Sequence, residues 1–212
     1  MPTLLPSGDQ KLVQITDAAL VDAARRSGDW LVCKLGCTQC CVGVFAINQL
    51  DVLRLQQGLA DLEITDPQRA TRIRERARAS IDRLREYFPG DLKTGILEES
   101  AEAAKRFEEF GNEEPCPVLD PMTGACDLYA ARPMTCRVFG PPIRSEDGLG
   151  VCELCYHGAS EEEIATCEMV VDPDDLEAHL VEELDRSGRR GSTIVAFAVG
   201  LDSNSAKDGP DH

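Results

Sequence analysis

A dense cluster of cysteines near the N-terminal end constrains this chain more than any other feature. Four of its ten cysteines occur within nine residues, in the arrangement Cys33-x3-Cys37-x2-Cys40-Cys41. A Cys-x2-Cys turn places two sulfurs where both can bind one metal. Adjacent side chains diverge, so Cys40 and Cys41 favour different roles. They could serve two metal atoms of one cluster, two separate sites, or one ligand and one core thiol.

Six more cysteines follow in two groups. Cys116, Cys126 and Cys136 are dispersed, and Arg132 and Arg137 flank the last of them with positive charge that could stabilise thiolates. A final group consists of a Cys-x2-Cys pair and one cysteine further along. Ligation of metal is predicted for the full set: Cys33, Cys37, Cys40, Cys41, Cys116, Cys126, Cys136, Cys152, Cys155 and Cys167.

The cysteine spacing argues against two common alternatives. A zinc ribbon has two Cys-x2-Cys knuckles roughly 15–20 residues apart, whereas 111 residues separate Cys40 from Cys152. A thioredoxin-like pair needs a strand before it and a helix after it, and the surroundings of Cys37 and Cys152 do not offer them. Buried free thiols would explain about two or three of the ten cysteines, but not the groups.

Charge and hydropathy limit the classes of partner and the compartment. The formal charge of −16 and the pI of about 4.5 argue against binding to nucleic acid or to an anionic membrane surface. No apolar stretch is long enough to span a membrane. The segment Met1–Lys11 lacks the basic and apolar regions of a secretory signal. We therefore expect a reducing cytoplasm, where clustered cysteines are metal ligands or redox groups rather than disulfides.

Capping residues and apolar spacing predict a mostly helical chain. A short apolar run, 193–201, fits either a strand or a buried helical turn. The predicted helices are Gln14–Arg26, with Thr16 as cap and Gly28 at its end; one capped by Asn48, with Leu50, Leu53 and Leu55 facing inward; one from Asp66-Pro67 to about Phe88, with Ile73, Ala77, Ile81 and Leu84 buried; Glu98–Phe110, closed by Gly111; one with a capping box at Ser160 that includes Cys167; and one from Asp172-Pro173 to Ser187-Gly188.

The third of these helices carries many arginines. Such a run is typical of a solvated helix face, and the alternative is a site for an acidic partner or a nucleotide. The residues are Arg69, Arg72, Arg74, Arg76, Arg78, Arg83 and Arg85.

Residues 115–157 are rich in Cys, Pro and Gly and have no sustained period, which suits a loop region held by metal. The predicted fold is therefore mainly α: a single helical domain with a central cysteine-rich, metal-held loop region. Its expected parts are an N-terminal extension over 1–13, the metal-binding domain over 14–201 and a disordered tail over 202–212.

The cysteine segments also resemble a known family. They read Cys37-x2-Cys40-Cys41, then Cys116-Pro117-x-Leu119, then Cys126-x-Leu128-Tyr129-x2-Arg132-Pro133-x2-Cys136-Arg137-x-Phe139. This pattern resembles the YkgJ-type cysteine-cluster family of zinc- or iron-chelating domains, over roughly Cys33 to Cys167. One departure is the three-residue gap between Cys33 and Cys37, where the family's short name implies two.

The resemblance implies metal chelation by Cys37, Cys40, Cys41, Cys116, Cys126 and Cys136, with later cysteines completing the set. A relative of the family is the flagellin lysine methylase, which implies that some members are enzymes. No Gly-rich nucleotide loop follows a strand here, so no methyl-donor site is predicted. Whether this chain is an enzyme stays open at this point.

Thiolate ligands favour iron–sulfur clusters and zinc over hard cations. The scattered ligands, the missing knuckle spacing and the adjacent cysteines favour an iron–sulfur cluster, of the 4Fe-4S type, over zinc. The alternatives are a cluster-dependent protein-modifying enzyme such as a lysine N-methylase-like protein, a zinc-stabilised interaction module, and a metal buffer or delivery protein. A protein partner is compatible with each of these functions, and the sequence identifies none.

Overall fold

The computed structural model describes residues 4–34, 36–145 and 148–201. Over those residues the fold is mainly α, as predicted, and forms a single compact domain. Its elements in chain order are α1 (Asp9–Ser27), α2 (Gln49–Thr65), α3 (Pro67–Leu84), α4 (Ala101–Glu108), β1 (Leu119–Asp120), β2 (Ala125–Cys126), α5 (Met134–Val138), β3 (Ile143–Ser145), β4 (Gly148–Gly150), α6 (Glu161–Thr166), α7 (Leu176–Arg186) and α8 (Val195–Gly200).

The main core lies between α2, α3 and α8. Leu55 of α2 and Ile73 and Ala77 of α3 are fully buried and belong to one apolar cluster with Val199 of α8. Every residue of α8 is buried, so its sequence is apolar on all sides and shows no periodicity. The apolar run at 193–201 is therefore a buried helix rather than a strand.

Two predicted helix starts are confirmed in detail. The Asn48 side chain accepts hydrogen bonds from the amides of Leu50 and Asp51 at the start of α2. The Asp66 side chain accepts one from the Arg69 amide, and Pro67 follows as the first residue of α3. Both satisfy amides that a helix leaves without partners at its first turn.

The third helix ends earlier than predicted. Its last residue is Leu84, four residues before Phe88. Phe88 packs against Phe110 and Phe197, with ring centroids 5.8 and 4.6 Å away. The chain leaves the helical conformation after Leu84, and the Phe88 side chain packs into this aromatic cluster.

The first helix begins earlier than predicted, so Thr16 as its cap is wrong. Helix α1 starts at Asp9, and Thr16 lies buried within it. The Asp9 carboxylate pairs with Arg54 of α2 at 2.6 Å and so holds the extra turn against the core. Gly28 ends the helix with a positive φ of 50°, as predicted.

Three other helix bounds also differ from prediction. Helix α4 is shorter at both ends than 98–110, and α6 stops at Thr166, so Cys167 is its C-cap. Helix α7 begins at Leu176, because the Asp172 carboxylate accepts hydrogen bonds from the amides of Leu176 and Glu177 across an intervening turn. The capping box at Ser160 is present as predicted.

The cysteine-rich stretch 115–157 contains only short elements. Strands β1 and β2 form one antiparallel hairpin, β3 and β4 another, and α5 lies between them. No helix among the described residues is both long and apolar enough to cross a membrane. The predicted tail, 202–212, lies outside the described residues.

Candidate metal centre

Backbone pairing brings the first cysteine segment against the segment of Cys116. The Cys116 amide donates a hydrogen bond to the Cys41 carbonyl at 2.8 Å. Val42 and Pro115 form an antiparallel bridge beside it. Residues 75 positions apart in the chain are thereby fixed side by side, which places Cys40 near Cys116.

The β1–β2 hairpin returns Cys126 to Cys116. The Leu119 amide donates to the Cys116 carbonyl at 3.0 Å, and Leu119 pairs with Cys126 across the hairpin. Gly124 makes the turn with a φ of +69°, a conformation that favours glycine.

Helix α5 carries Cys136 and is anchored to two longer helices. The Asp51 carboxylate of α2 accepts a hydrogen bond from the Met134 amide at 2.9 Å. Arg137 donates to Asp17 of α1 at 2.9 Å. These contacts orient the five-residue helix that holds Cys136, and they occupy Arg137, whose sequence position had suggested a role beside the cysteines.

The thiols of these segments are electrostatic neighbours. Burial raises the pKa of Cys136 most, and the adjacent Cys116, Cys126 and Cys40 raise it further. The pKa of Cys116 is raised to about 12, mainly by burial and further by Cys126 and Cys40. The structure thus brings together four sulfurs from four segments, the inner cysteine group: Cys40, Cys116, Cys126 and Cys136.

Backbone amides point at two of these sulfurs. Burial raises the pKa of Cys116, while hydrogen bonds donated by the Val118 and Leu119 amides lower it. The Leu128 amide acts in the same way on Cys126, against the larger effect of burial. Amide donors stabilise the charged form of a group, so they offset part of the cost of forming a thiolate at these two sulfurs.

Two arginines of α3 hold the segments that carry Cys116 and Cys126. Asp127, next to Cys126, is buried and accepts hydrogen bonds from Arg69 and Arg76. Arg76 also donates to the Pro117 carbonyl, next to Cys116, at 2.8 Å. The prediction of a solvated face therefore missed a structural role for these two arginines. Their seven-residue spacing, which repeats the same helix face, is the sequence signal that could have found it.

Arg132 lies over the Tyr129 ring, 4.0 Å from its centroid, and donates to the Tyr129 carbonyl at 3.0 Å. Its charge also lowers the pKa of Cys126, whereas the larger effect of burial raises it. Arg132 therefore holds the loop and supplies positive charge close to one sulfur of the inner cysteine group.

A second set of cysteines borders a separate small pocket. The Tyr156 amide donates to the Trp30 carbonyl at 3.0 Å, which joins the segment after α1 to the segment after β4. The pocket encloses about 290 Å³ of space, part of it open to solvent. Four of the cysteines on its wall form the outer cysteine group: Cys33, Cys37, Cys152 and Cys155.

Cys40 stands between the two groups. It also borders the pocket of the outer cysteine group, and its thiol hydrogen-bonds the Cys41 thiol, which is the largest cause of its raised pKa. The turn over Gln39–Cys41 thus brings the adjacent sulfurs together, although neighbouring side chains were expected to diverge.

Cys167 is buried beside the outer cysteine group without belonging to it. It packs in an apolar cluster with Cys155 and Tyr156, and its thiol contacts the Thr166 hydroxyl at 3.8 Å. It does not border the pocket of the outer cysteine group. Its surroundings are those of a core thiol, so its predicted ligation stays a prediction.

The donor chemistry fits a thiophilic metal, although the side chains are not in ligating positions. Across the described ranges, no three Cys, His, Asp or Glu side chains stand close enough to hold a metal ion as they are oriented. All ten cysteines are free of disulfides. A cysteine sulfur moves by rotation about one bond among staggered positions, so its orientation can change without a change of the backbone.

The fold and the cysteine groups define a helical domain of the thiolate metal-binding class. A family model matches residues 32–156, and its printed description is CxxCxxCC, "Putative zinc- or iron-chelating domain". The chain belongs to this family, as its cysteine segments predicted. No significant match was found among curated proteins or among solved structures.

Proposed function

We propose that this protein holds an iron–sulfur cluster, of the 4Fe-4S type, through the inner cysteine group. The observation that carries the proposal is the meeting of four thiols from four separate segments, with amide donors directed at two of them. Thiolates are the usual ligands of such clusters, and hydrogen bonds to their sulfurs help to set the cluster's potential.

The charges around the inner cysteine group support a cluster with several thiolates. Four partly buried thiolates in a chain of net charge −16 need positive charge nearby. Arg132 supplies some of it at Cys126. Arg69 also lowers the pKa of Cys126, after the larger effect of burial. A bound metal cluster would supply the rest.

The contact between Cys40 and Cys41 favours a polynuclear centre. Their hydrogen-bonded thiols give this position five cysteines rather than four. A single tetrahedral ion uses four ligands, whereas a cluster accommodates a further thiol as an exchangeable ligand or as a donor to a ligand sulfur. The proposal includes a reducing cytoplasm, since the free thiols must stay reduced until metal binds.

The test is anaerobic purification followed by visible spectroscopy and analysis of iron, sulfide and zinc. A 4Fe-4S cluster would give coloured protein with about four iron and four sulfide per chain. Cys116→Ala and Cys126→Ala should each lose most of the iron and sulfide. Cys167→Ala is the matched control, a buried cysteine outside both groups, and should keep both. Colourless protein with tightly bound zinc and no sulfide would refute the iron–sulfur assignment.

A further inference from the structure

We propose that the chain has a second metal site, a mononuclear zinc site formed by Cys33, Cys37, Cys152 and Cys155. The family description names chelation for the domain as a whole and assigns no separate sites. The second site is independent of the metal that the inner cysteine group binds.

Two close pairs of cysteines meet here from distant parts of the chain. Cys33 and Cys37 are separated by three residues, Cys152 and Cys155 by two, and the pairs by more than a hundred. All four border one pocket. Two short-spaced pairs that face each other are the usual plan of a structural four-cysteine zinc site. The two pairs are far apart in the sequence, and the fold brings them to the same pocket.

Backbone hydrogen bonds prepare the buried member of the group. The amides of Val32 and Cys33 donate hydrogen bonds to the Cys155 sulfur. The Cys155 amide itself donates to the Cys152 carbonyl at 2.9 Å, which closes the turn between the two cysteines. The amide bonds to the sulfur would stabilise a thiolate there, and the turn fixes the position of Cys155 relative to Cys152.

The walls of the pocket favour a thiophilic ion. Beyond the cysteines, its walls include Val32, Phe139 and Leu154, which are apolar. Gln39 also lines the pocket, and its side-chain amide donates to Glu153. Thiols are the predominant donors on the wall, so the site suits a thiophilic cation better than Mg²⁺ or Ca²⁺. Cys33 is exposed, which gives an ion a path from solvent.

The segment around Cys152 and Cys155 has no regular secondary structure of its own. Residues 151–158 contain no helix or strand and follow the small β3–β4 hairpin. Cys152, Cys155 and Tyr156 of this segment pack in a small apolar cluster with Trp30 and Cys167, separate from the main core. A four-cysteine zinc site would link this segment to the Cys33 loop, and it would release the thiol protons to solvent on binding.

The experiment compares zinc per chain, iron, sulfide and visible spectra in paired variants. Cys152→Ala/Cys155→Ala and Cys33→Ala/Cys37→Ala should each lose one zinc per chain and keep the colour, iron and sulfide of the wild type. Cys126→Ala/Cys136→Ala should lose the colour and keep that zinc. Co²⁺ added to zinc-depleted protein should give the visible bands of tetrahedral thiolate coordination in the wild type, and not in the two outer pairs.

The outcomes separate this proposal from the proposed function. Colourless wild type with two zinc ions per chain, one of them lost in each outer pair, supports the second site and refutes the iron–sulfur cluster. The second site is overturned if both double variants of the outer cysteine group retain all of their zinc. It is also overturned if the wild type contains no zinc and gives no cobalt bands. Simultaneous loss of iron and zinc in both outer pairs, with helical circular dichroism preserved, also overturns it in favour of one shared centre.

Discussion

Arg76 Nη2 lies 2.6 Å from the Asp127 carboxylate, while the Nε of the same arginine donates to the Pro117 carbonyl. One guanidinium thereby fastens the residue after Cys126 and the residue after Cys116 to the same helix. An arginine presents several donors in a fixed plane, so it can hold two segments at a set separation where a lysine could not. The distance between two sulfurs of the inner cysteine group is therefore set partly from α3.

Asp127→Asn should weaken both the fold and metal retention. The amide has no charge to pair with Arg69 and Arg76, so the free energy of unfolding should fall by about 2 kcal/mol. The hairpin that carries Cys126 should then be held less firmly. Chemical denaturation and metal content per chain measure the two effects.

The control for Asp127→Asn is Arg72→Ala, at an exposed position on the same helix. It should change stability by less than about 0.5 kcal/mol and leave the metal content unchanged. Full metal content in Asp127→Asn would mean that the ion pairs support the fold without positioning the cysteines.

Local signals in the sequence were sufficient to predict the longest helices, but they were not sufficient to predict which segments meet at the cysteine site. Asn48 and Asp66 cap their helices through bonds to amides two or three residues away, which a local pattern can encode. Arg76 finds its partner 51 residues away, and no periodicity records such a contact. The same limit explains why cysteine spacing failed to pair Cys33 with Cys152, whose segments meet only through the tertiary fold.

Gly124→Ala should reduce metal content more than it reduces stability. Gly124 has a φ of +69°, and a Cβ there would lie 3.3 Å from the Cα of Gly36 in the first cysteine loop. The strained backbone should cost about 1 kcal/mol. The hairpin should also shift away from the cysteine loop, which displaces Cys126 from Cys40. Metal per chain and its rate of loss to a chelator measure the effect.

Gly188→Ala is the matched control for the turn. Gly188 also has a positive φ, but a Cβ there would meet nothing within 4 Å. We expect a similar loss of stability and no loss of metal. Equal metal content in the two variants would show that close approach of the hairpin to the cysteine loop is not needed for binding.

Removal of metal should loosen the cysteine segments and leave the helical core folded. The core of α2, α3 and α8 is built from apolar contacts that involve few cysteines. Residues 151–158 have no regular structure, so their amides rely on turns and on the cysteines. Hydrogen exchange of metal-free protein should rise over 33–41 and 151–158 and change little in α3. Rapid exchange throughout α3 would instead show that folding as a whole requires metal.

Thr16→Val should stabilise the protein. The Thr16 side chain is fully buried in α1, and its hydroxyl has no hydrogen-bond partner among the described residues. A buried hydroxyl without a partner is costly, and valine keeps its shape, so the free energy of unfolding should rise by about 1 kcal/mol. Thr65→Val is the control, since the Thr65 hydroxyl donates to the Asp61 carbonyl at 3.0 Å at the exposed C-terminal end of α2. It should bring no gain in stability.

Thr16 borders a cavity that also touches Met134 and Val138 of α5. A loss of stability in Thr16→Val would therefore indicate that the hydroxyl binds ordered water beside the helix that carries Cys136.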